Sequence, residues 1–318
     1  MESSGSKAHG FICGMPRSGT TWISKCIGTS KKVSVFGETQ YWGKKYLNKE
    51  GKLYEKKDIK HIIKNMWGFI YKKGEKKSIK EILDDAEDEI CKFSRTPKNL
   101  FDKICEEISK DQKTEKVMEK TPHHINYIDR IARKYENAKF LITKRDPYDF
   151  TLSYKHQKDR RNGKEKKQFS KMYHPLGAAL VYRGYCRSIN KAISEYPERT
   201  LVVSIEEIKK SPEKEIEKIY SFFEIEGERF VLPPSNSSFP ESDKPTLNSE
   251  DLFFINLLSG SSAKKMGYKM KERPNVDLEI LRSFARAPKW AKNVLSNMES
   301  RSESPYQYMY NWAKKIFR

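Results

Sequence analysis

Arg17, Ser18, Gly19, Thr20 and Thr21 stand together in one run, Gly14-Met15-Pro16-Arg17-Ser18-Gly19-Thr20-Thr21-Trp22. A guanidinium, three hydroxyls and the backbone N–H groups of a glycine loop offer more donors than a turn needs, and such a nest of donors suits an anion. The spacing from Gly14 to Gly19 is that of a phosphate loop, G-x-x-x-x-G, yet Thr20 stands where the loop lysine belongs. In a nucleoside-triphosphate site that lysine serves the β- and γ-phosphates, and the hydroxyl after it holds magnesium. A loop that lacks the lysine and carries Arg17 points to a bound anion other than a triphosphate with its metal.

Such a loop works only between a strand and a helix, where its N–H groups and the helix's positive end converge. Gly10-Phe11-Ile12-Cys13 ahead of it is an apolar run of the kind a buried parallel strand shows, and Trp22, Ile23, Cys26 and Ile27 behind it fall at helical spacing. Further strands are read at 32–36, 117–122, 139–143 and 200–205, with helices between them. This alternation predicts an α/β fold, a P-loop-type parallel sheet flanked by helices. Residues 41–112 read as a lysine-rich helical insert, too polar for sheet, shaping the acceptor site; Ile59, Ile62, Ile63, Met66, Trp67 and Ile70 share one helical face. Residues 159–171 carry charge without apolar period and read as a loop or lid. The expected organisation is a flexible N-terminus at 1–8, one domain over 9–270, and a basic helical extension over 271–318 anchored by Trp290 and Trp312.

Pro16 to Trp22 resembles the 5′-phosphosulfate loop of the sulfotransferases that use 3′-phosphoadenosine-5′-phosphosulfate, in the bacterial and tyrosylprotein-sulfotransferase-like branch. A second segment, Lys144-Arg145-Asp146-Pro147-Tyr148-Asp149-Phe150-Thr151-Leu152-Ser153-Tyr154, resembles the same family's 3′-phosphate motif. The likeness thins toward Tyr268 and ends there. It implies that Arg17, Ser18, Gly19, Thr20 and Thr21 hold the phosphosulfate, and that Arg145 and Ser153, eight residues on, bind the 3′-phosphate. Arginine's planar fork suits that phosphate.

The transfer also needs a base for the acceptor hydroxyl and cations for the departing oxygen. Glu38 follows a strand, so it belongs at the sheet's carboxyl edge, where ligands of such sheets bind. Its Gly37-Glu38-Thr39 setting, twenty-one residues after Arg17, is similar to that of the tyrosylprotein branch's catalytic glutamate. Lys120-Thr121-Pro122 resembles the catalytic-lysine segment, and preorganised cations such as Lys120 and Arg17 act where charge develops. The cytosolic enzymes for phenols and steroids carry Lys-Thr-His there; here Pro122 replaces the histidine, which favours Glu38 and leaves His123 as second choice. A family serine that touches the phosphosulfate corresponds to Ser237, Ser238 or Ser242. The aromatic expected near Val203 is replaced by Ser204 or Ile205, so the adenine must be gripped otherwise.

Charged residues make up 33% and apolar ones 36% of the 318 residues, and 63 Lys and Arg against 43 Asp and Glu give a net charge of +20. That balance favours anionic partners, although a lysine-rich solvated surface explains much of it. No specific nucleic-acid signature accompanies the charge. An acceptor hydroxyl on a saccharide or glycolipid is favoured over a peptide tyrosine; a homo-oligomer stays open. Five scattered cysteines read as reduced packing residues of a cytoplasmic protein. No apolar run is long enough for a transmembrane helix, and the polar N-terminus is unlike a signal peptide. The expected cofactor is 3′-phosphoadenosine-5′-phosphosulfate, leaving adenosine 3′,5′-bisphosphate, without a metal. Two other classes fit the same residues: a P-loop nucleotide kinase or NTPase, and a non-catalytic basic polyanion-binding protein.

Overall fold

The computed structural model describes residues 8–43, 53–72, 76–157, 162–233 and 245–298. In chain order it contains β1 (Ala8–Gly14), α1 (Thr20–Ile27), β2 (Val33–Gly37), α2 (Lys56–Asn65), β3 (Phe69–Tyr71), β4 (Lys76–Ser78), α3 (Lys80–Asp85), α4 (Glu87–Phe93), α5 (Pro97–Gln112), β5 (Lys116–Lys120) and α6 (Ile128–Lys134). Then follow β6 (Lys139–Lys144), α7 (Pro147–Lys155), α8 (Gly163–Met172), α9 (Pro175–Glu195), β7 (Thr200–Ser204), α10 (Ile205–Lys210), α11 (Pro212–Phe223), α12 (Ser249–Lys265) and α13 (Leu278–Met298). The chain forms two compact units, Met1–Lys144 with Ala192–Ser235, and Arg145–Lys191 with Asn236–Arg318.

The first unit is built on one seven-stranded sheet in the order β4-β3-β2-β5-β1-β6-β7. The strands β2, β5, β1, β6 and β7 run parallel. Parallel strands need helices on both faces, which is why β1 reads as unbroken apolar sequence rather than alternation. On one face Ile12, Val35, Met118, Leu141 and Val203 pack with Ile23, Cys26 and Ile27 of α1 and with Ile216, Ile219, Tyr220 and Phe223 of α11. The other face is aromatic: Phe11 stacks between Phe101 of α5 and Phe140, and Tyr41, Trp42 and Tyr135 close around Phe101.

Two segments fold differently from their sequence pattern. The apolar period from Ile59 to Ile70 does not continue as one helix: α2 stops at Asn65, Met66 is extended, and Phe69–Tyr71 becomes β3. This strand pairs antiparallel with β2, and β4 pairs antiparallel with β3, so the insert over 41–112 contains sheet. Phe-Ile-Tyr after a glycine has strand preference, and the open edge of β2 offers it a backbone partner. Residues 163–172 are α8 rather than loop. Lys, Glu and Gln are strong helix formers without any apolar stripe, and propensity decides there.

In the second unit, α7 starts as its sequence implies. Pro147 takes the first turn, and the Asp146 side chain accepts the N–H groups of Tyr148 at 2.8 Å and Asp149 at 3.1 Å. The buried Asp251 of α12 receives Lys155 Nζ at 2.5 Å. Phe254 packs on Phe284 of α13 with centroids 4.8 Å apart, and the Trp290 indole N–H donates to the Met172 carbonyl at 2.9 Å, making it the expected anchor. Trp312 lies outside the described residues.

Candidate active site

The phosphate-type loop joins the carboxyl end of β1 to α1. Gly14 has φ 130°, and a methyl group there would lie 2.3 Å from the Thr143 carbonyl oxygen, so no side chain fits. Met15 N–H donates to that same oxygen at 2.9 Å. Ser18 is fully buried, and its hydroxyl contacts the Met15 carbonyl and the Thr143 hydroxyl. Its side chain therefore anchors the loop to β6, and its backbone N–H is what it can offer a ligand. Arg17 is exposed with φ 67°, Gly19 caps α1 in the left-handed conformation, and Thr20 and Thr21 open the helix. The first turn of α1 carries no acidic residue, so its positive end is not neutralised from within.

Glu38 and Lys120 meet beside this loop. The Gly37 and Lys120 Cα atoms are partners across β2 and β5, and Glu38 N–H donates to the Lys120 carbonyl at 2.8 Å. Lys120 is fully buried; its Nζ contacts Glu38 Oε1, lies 3.3 Å from Thr21 Oγ1, and sits 4.7 Å from the Tyr71 ring centroid. An unpaired ammonium at such depth costs several kcal/mol, so the carboxylate is part of what keeps this cation in place. Burial, with Glu38 and Glu119 nearby, holds the Tyr71 phenol far above its ordinary value, so it faces Lys120 as a neutral ring. The Glu38 side chain keeps 26% of its exposure, in contrast to the fully buried Lys120.

Backbone conformation marks the same two loops. Five non-glycine residues among those described have positive φ: Arg17, Glu38, Gln40, Lys113 and Glu224. Lys113 and Glu224 are helix C-caps, an ordinary place for it. Arg17, Glu38 and Gln40 are not caps, and each departure costs about 1 kcal/mol or more. Two of these three, Arg17 and Glu38, are residues whose types already suggested chemistry, and Gln40 stands two positions after Glu38.

Arg145 and Ser153 belong to the second unit. Arg145 directly precedes the cap of α7, is 8% exposed, and its carbonyl accepts the Tyr182 hydroxyl at 3.0 Å. Ser153 lies on α7 and is 1% exposed. Tyr182 is buried, and that burial raises its phenol far above the ordinary value, so the hydroxyl keeps the proton it donates to the Arg145 carbonyl.

His123 is exposed in the 3-10 turn Pro122–Tyr127 that follows β5. Ser204 caps α10, its hydroxyl accepting Glu207 N–H at 3.1 Å. Ser237, Ser238 and Ser242 lie outside the described residues. Among those described, no group of three or more His, Cys, Asp or Glu could hold a metal ion, and no helix is long and apolar enough to cross a membrane. Glu119, Thr39, the His124 ring and the Trp42 backbone N–H form a buried polar group next to Glu38 and Lys120, a clustering not foreseen from the sequence. A visible signal existed: β5 ends Val-Met-Glu-Lys, four buried residues of which two are charged.

The profile of the Sulfotransferase family matches residues 11–229. The chain belongs to the sulfotransferase family. An uncharacterised protein of Aquifex aeolicus (strain VF5) is 24% identical over 234 residues, covering 71% of this chain; the chain spans 27% of that relative's length. Among solved structures, the sulfotransferase domain of the curacin biosynthetic pathway has a TM-score of 0.47 at 14% identity, covering 90% of this chain and 99% of the domain. The sulfotransferase domain of the Synechococcus PCC 7002 olefin synthase has a TM-score of 0.49 at 14% identity, covering 91% and 97%. A sulfotransferase from Alicyclobacillus acidocaldarius has a TM-score of 0.48 at 15% identity, covering 82% and 96%. Scores below 0.5 say nothing of donor or acceptor. The chain's own residues bring together a glycine-rich loop, a buried lysine and a partly exposed glutamate in contact with it.

Proposed function

We propose that this sulfotransferase moves a sulfuryl group from 3′-phosphoadenosine-5′-phosphosulfate to a hydroxyl of a saccharide or glycolipid. The observation that carries the reading is the position of Lys120 Nζ, in contact with both the Glu38 carboxylate and the Thr21 hydroxyl. Three segments far apart in sequence supply one anion loop, one base and one cation. The residues fit this donor better than a triphosphate: the loop has no lysine of its own, and the buried cation comes from β5 instead.

The donor supplies a sulfuryl group already activated by its bond to the 5′-phosphate. The backbone N–H groups of Arg17 to Thr21, with the start of α1, hold the phosphosulfate. Glu38 takes the acceptor's proton as its oxygen attacks sulfur, and the sulfur–oxygen bond to the phosphate breaks. Lys120 and Arg17 neutralise the charge that develops on the leaving oxygen. Arg145 and Ser153 take the 3′-phosphate, which separates this donor from other adenine nucleotides. The net charge of +20 supports an anionic or saccharide acceptor over a peptide tyrosine. Five buried, unbridged cysteines support the cytoplasm as the compartment.

Labelled donor incubated with carbohydrate, lipid and peptide acceptors tests the reaction directly. A thermal-shift series with adenosine 3′,5′-bisphosphate, AMP and ATP with magnesium tests the donor site. Stabilisation by the bisphosphate well beyond AMP is the expected result. Equal shifts from the two would remove the role given to Arg145, and a preference for ATP with magnesium would turn the reading toward a kinase or NTPase.

A further inference from the structure

Among the described residues, Glu119 is the only acidic one in the seven strands, and it is fully buried. Its Oε1 accepts the hydroxyls of Thr39 at 3.0 Å and Thr121 at 2.5 Å. Its Oε2 lies 2.7 Å from His124 Nδ1, as close as an ion pair though without the alignment of a straight hydrogen bond. The other ring nitrogen of His124, Nε2, accepts the Trp42 backbone N–H at 3.2 Å. With Nε2 an acceptor, the proton of the neutral ring sits on Nδ1, facing the carboxylate. Thr39 Oγ1 also accepts the Tyr41 N–H at 3.2 Å.

Thr39 is the residue after Glu38, and Thr121 is the residue after Lys120. One carboxylate oxygen thus ties together the two chain segments that carry the proposed base and the proposed cation. Thr39 also lies between Glu38 and Gln40, both with positive φ, so the segment it anchors is one the backbone would not choose unaided. The other carboxylate oxygen faces the turn after β5 through His124, which in turn accepts from the Trp42 backbone. A carboxylate accepts at both oxygens, whereas a glutamine would present a donor to one of its neighbours.

We propose that Glu119 is a positioning residue: through Thr39 and Thr121 it sets the pair of loops so that the Glu38 carboxylate meets the Lys120 ammonium. The inference rests on the reading that Glu38 and Lys120 carry the chemistry. A merely structural Glu119 would lower stability and leave turnover per folded molecule alone. A positioning one changes kcat while donor affinity holds, because the anion loop is tied to β6 rather than to Glu119.

The test uses Glu119→Gln, Thr39→Val and Thr121→Val in the full chain. With an acceptor found in the labelled-donor screen, or water if none is found, taking the sulfuryl group, release of adenosine 3′,5′-bisphosphate from 3′-phosphoadenosine-5′-phosphosulfate gives kcat and KM for the donor, with thermal-shift binding of the bisphosphate alongside. Each valine variant should lose at least about 10-fold in kcat, with donor KM and bisphosphate affinity near wild type. Both valines together should lose little more than Glu119→Gln, since they act through one group. Valine variants at full kcat, or losses that multiply, would overturn the proposal, and the valine pair answers the question even if Glu119→Gln fails to fold. A wild-type protein that neither binds the bisphosphate nor consumes the donor would refute the functional reading instead. In that event crystal structures of the valine variants decide: Lys120 Nζ still on Glu38 Oε1 overturns the positioning role, and separation of the two supports it.

Discussion

Gly37→Ala tests the placement of the proposed base, Glu38, through space alone. Gly37 ends β2, and its φ is not in the left-handed region, so alanine meets no backbone objection. The obstacle is a neighbour: an added Cβ would sit 1.9 Å from the Lys120 carbonyl oxygen, 2.6 Å from its carbon and 2.9 Å from its Cα. A carbon in contact with a carbonyl oxygen needs about 3.3 Å, so β2 and β5 must part by more than about 1 Å at this point. That displacement breaks the bond from Glu38 N–H to Lys120 O, now 2.8 Å, and moves Glu38 and Lys120 apart. Overpacking of this kind costs about 1–3 kcal/mol, and each kcal/mol lowers the melting temperature of a domain this size by roughly 2–4 °C. Misplacing a catalytic group by about 1 Å costs on the order of 100-fold in rate. The expected outcome is a folded protein, a few degrees less stable, with kcat down about 100-fold and bisphosphate affinity kept. Turnover within threefold of wild type would mean that the spacing between Glu38 and Lys120 does not govern the reaction.

Three further outcomes follow from the same geometry. Glu38→Gln should lower kcat by about 100- to 10,000-fold, the range of a general base, while bisphosphate binding persists; retained turnover would shift the role to His123 or water. Arg145→Ala should weaken bisphosphate binding by about 10- to 150-fold and leave AMP binding unchanged, as measured by calorimetry. The third concerns pH. His174 Nδ1 accepts Leu176 N–H at 3.2 Å and Nε2 lies 3.1 Å from the Ser283 carbonyl, so the neutral ring is satisfied and a second proton has no place to go. Burial lowers its pKa below the ordinary value of about 6.5, so the unfolded chain binds the proton more readily. This contribution to stability is whole above pH ~6.5 and falls as pH drops toward the folded value. Urea midpoints measured downward from pH 8 should therefore decline from about pH 6.5, and less so in His174→Gln.

The parts of the fold readable in advance are those governed by neighbours along the chain. The first strand, the loop and α1 were visible because Phe11, Ile12, Trp22, Ile23, Cys26 and Ile27 keep their period and are all buried. Asp146-Pro147 announced the start of α7 in the same way. The insert misled because its helical period ran on by chance into Phe69–Tyr71, whose fate depended on the free edge of β2, a partner remote in sequence. Residues 163–172 misled for the opposite reason, since helix formation there follows propensity that no apolar stripe reveals.

The site divides along the same line. By itself the sequence determined which chemistry was on offer: an anion loop without its lysine, a glutamate after a glycine at a strand end, and a lysine before a proline turn. Only the tertiary structure decided that Lys120 reaches both Glu38 and Thr21, and that Glu119 fastens the residues after the first two. Residue type and local spacing settle what a side chain can do, because donors, charge and backbone preference are local properties. Which groups meet depends on strand order: β5 enters the sheet between β1 and β2, and that adjacency joins residues about a hundred positions apart.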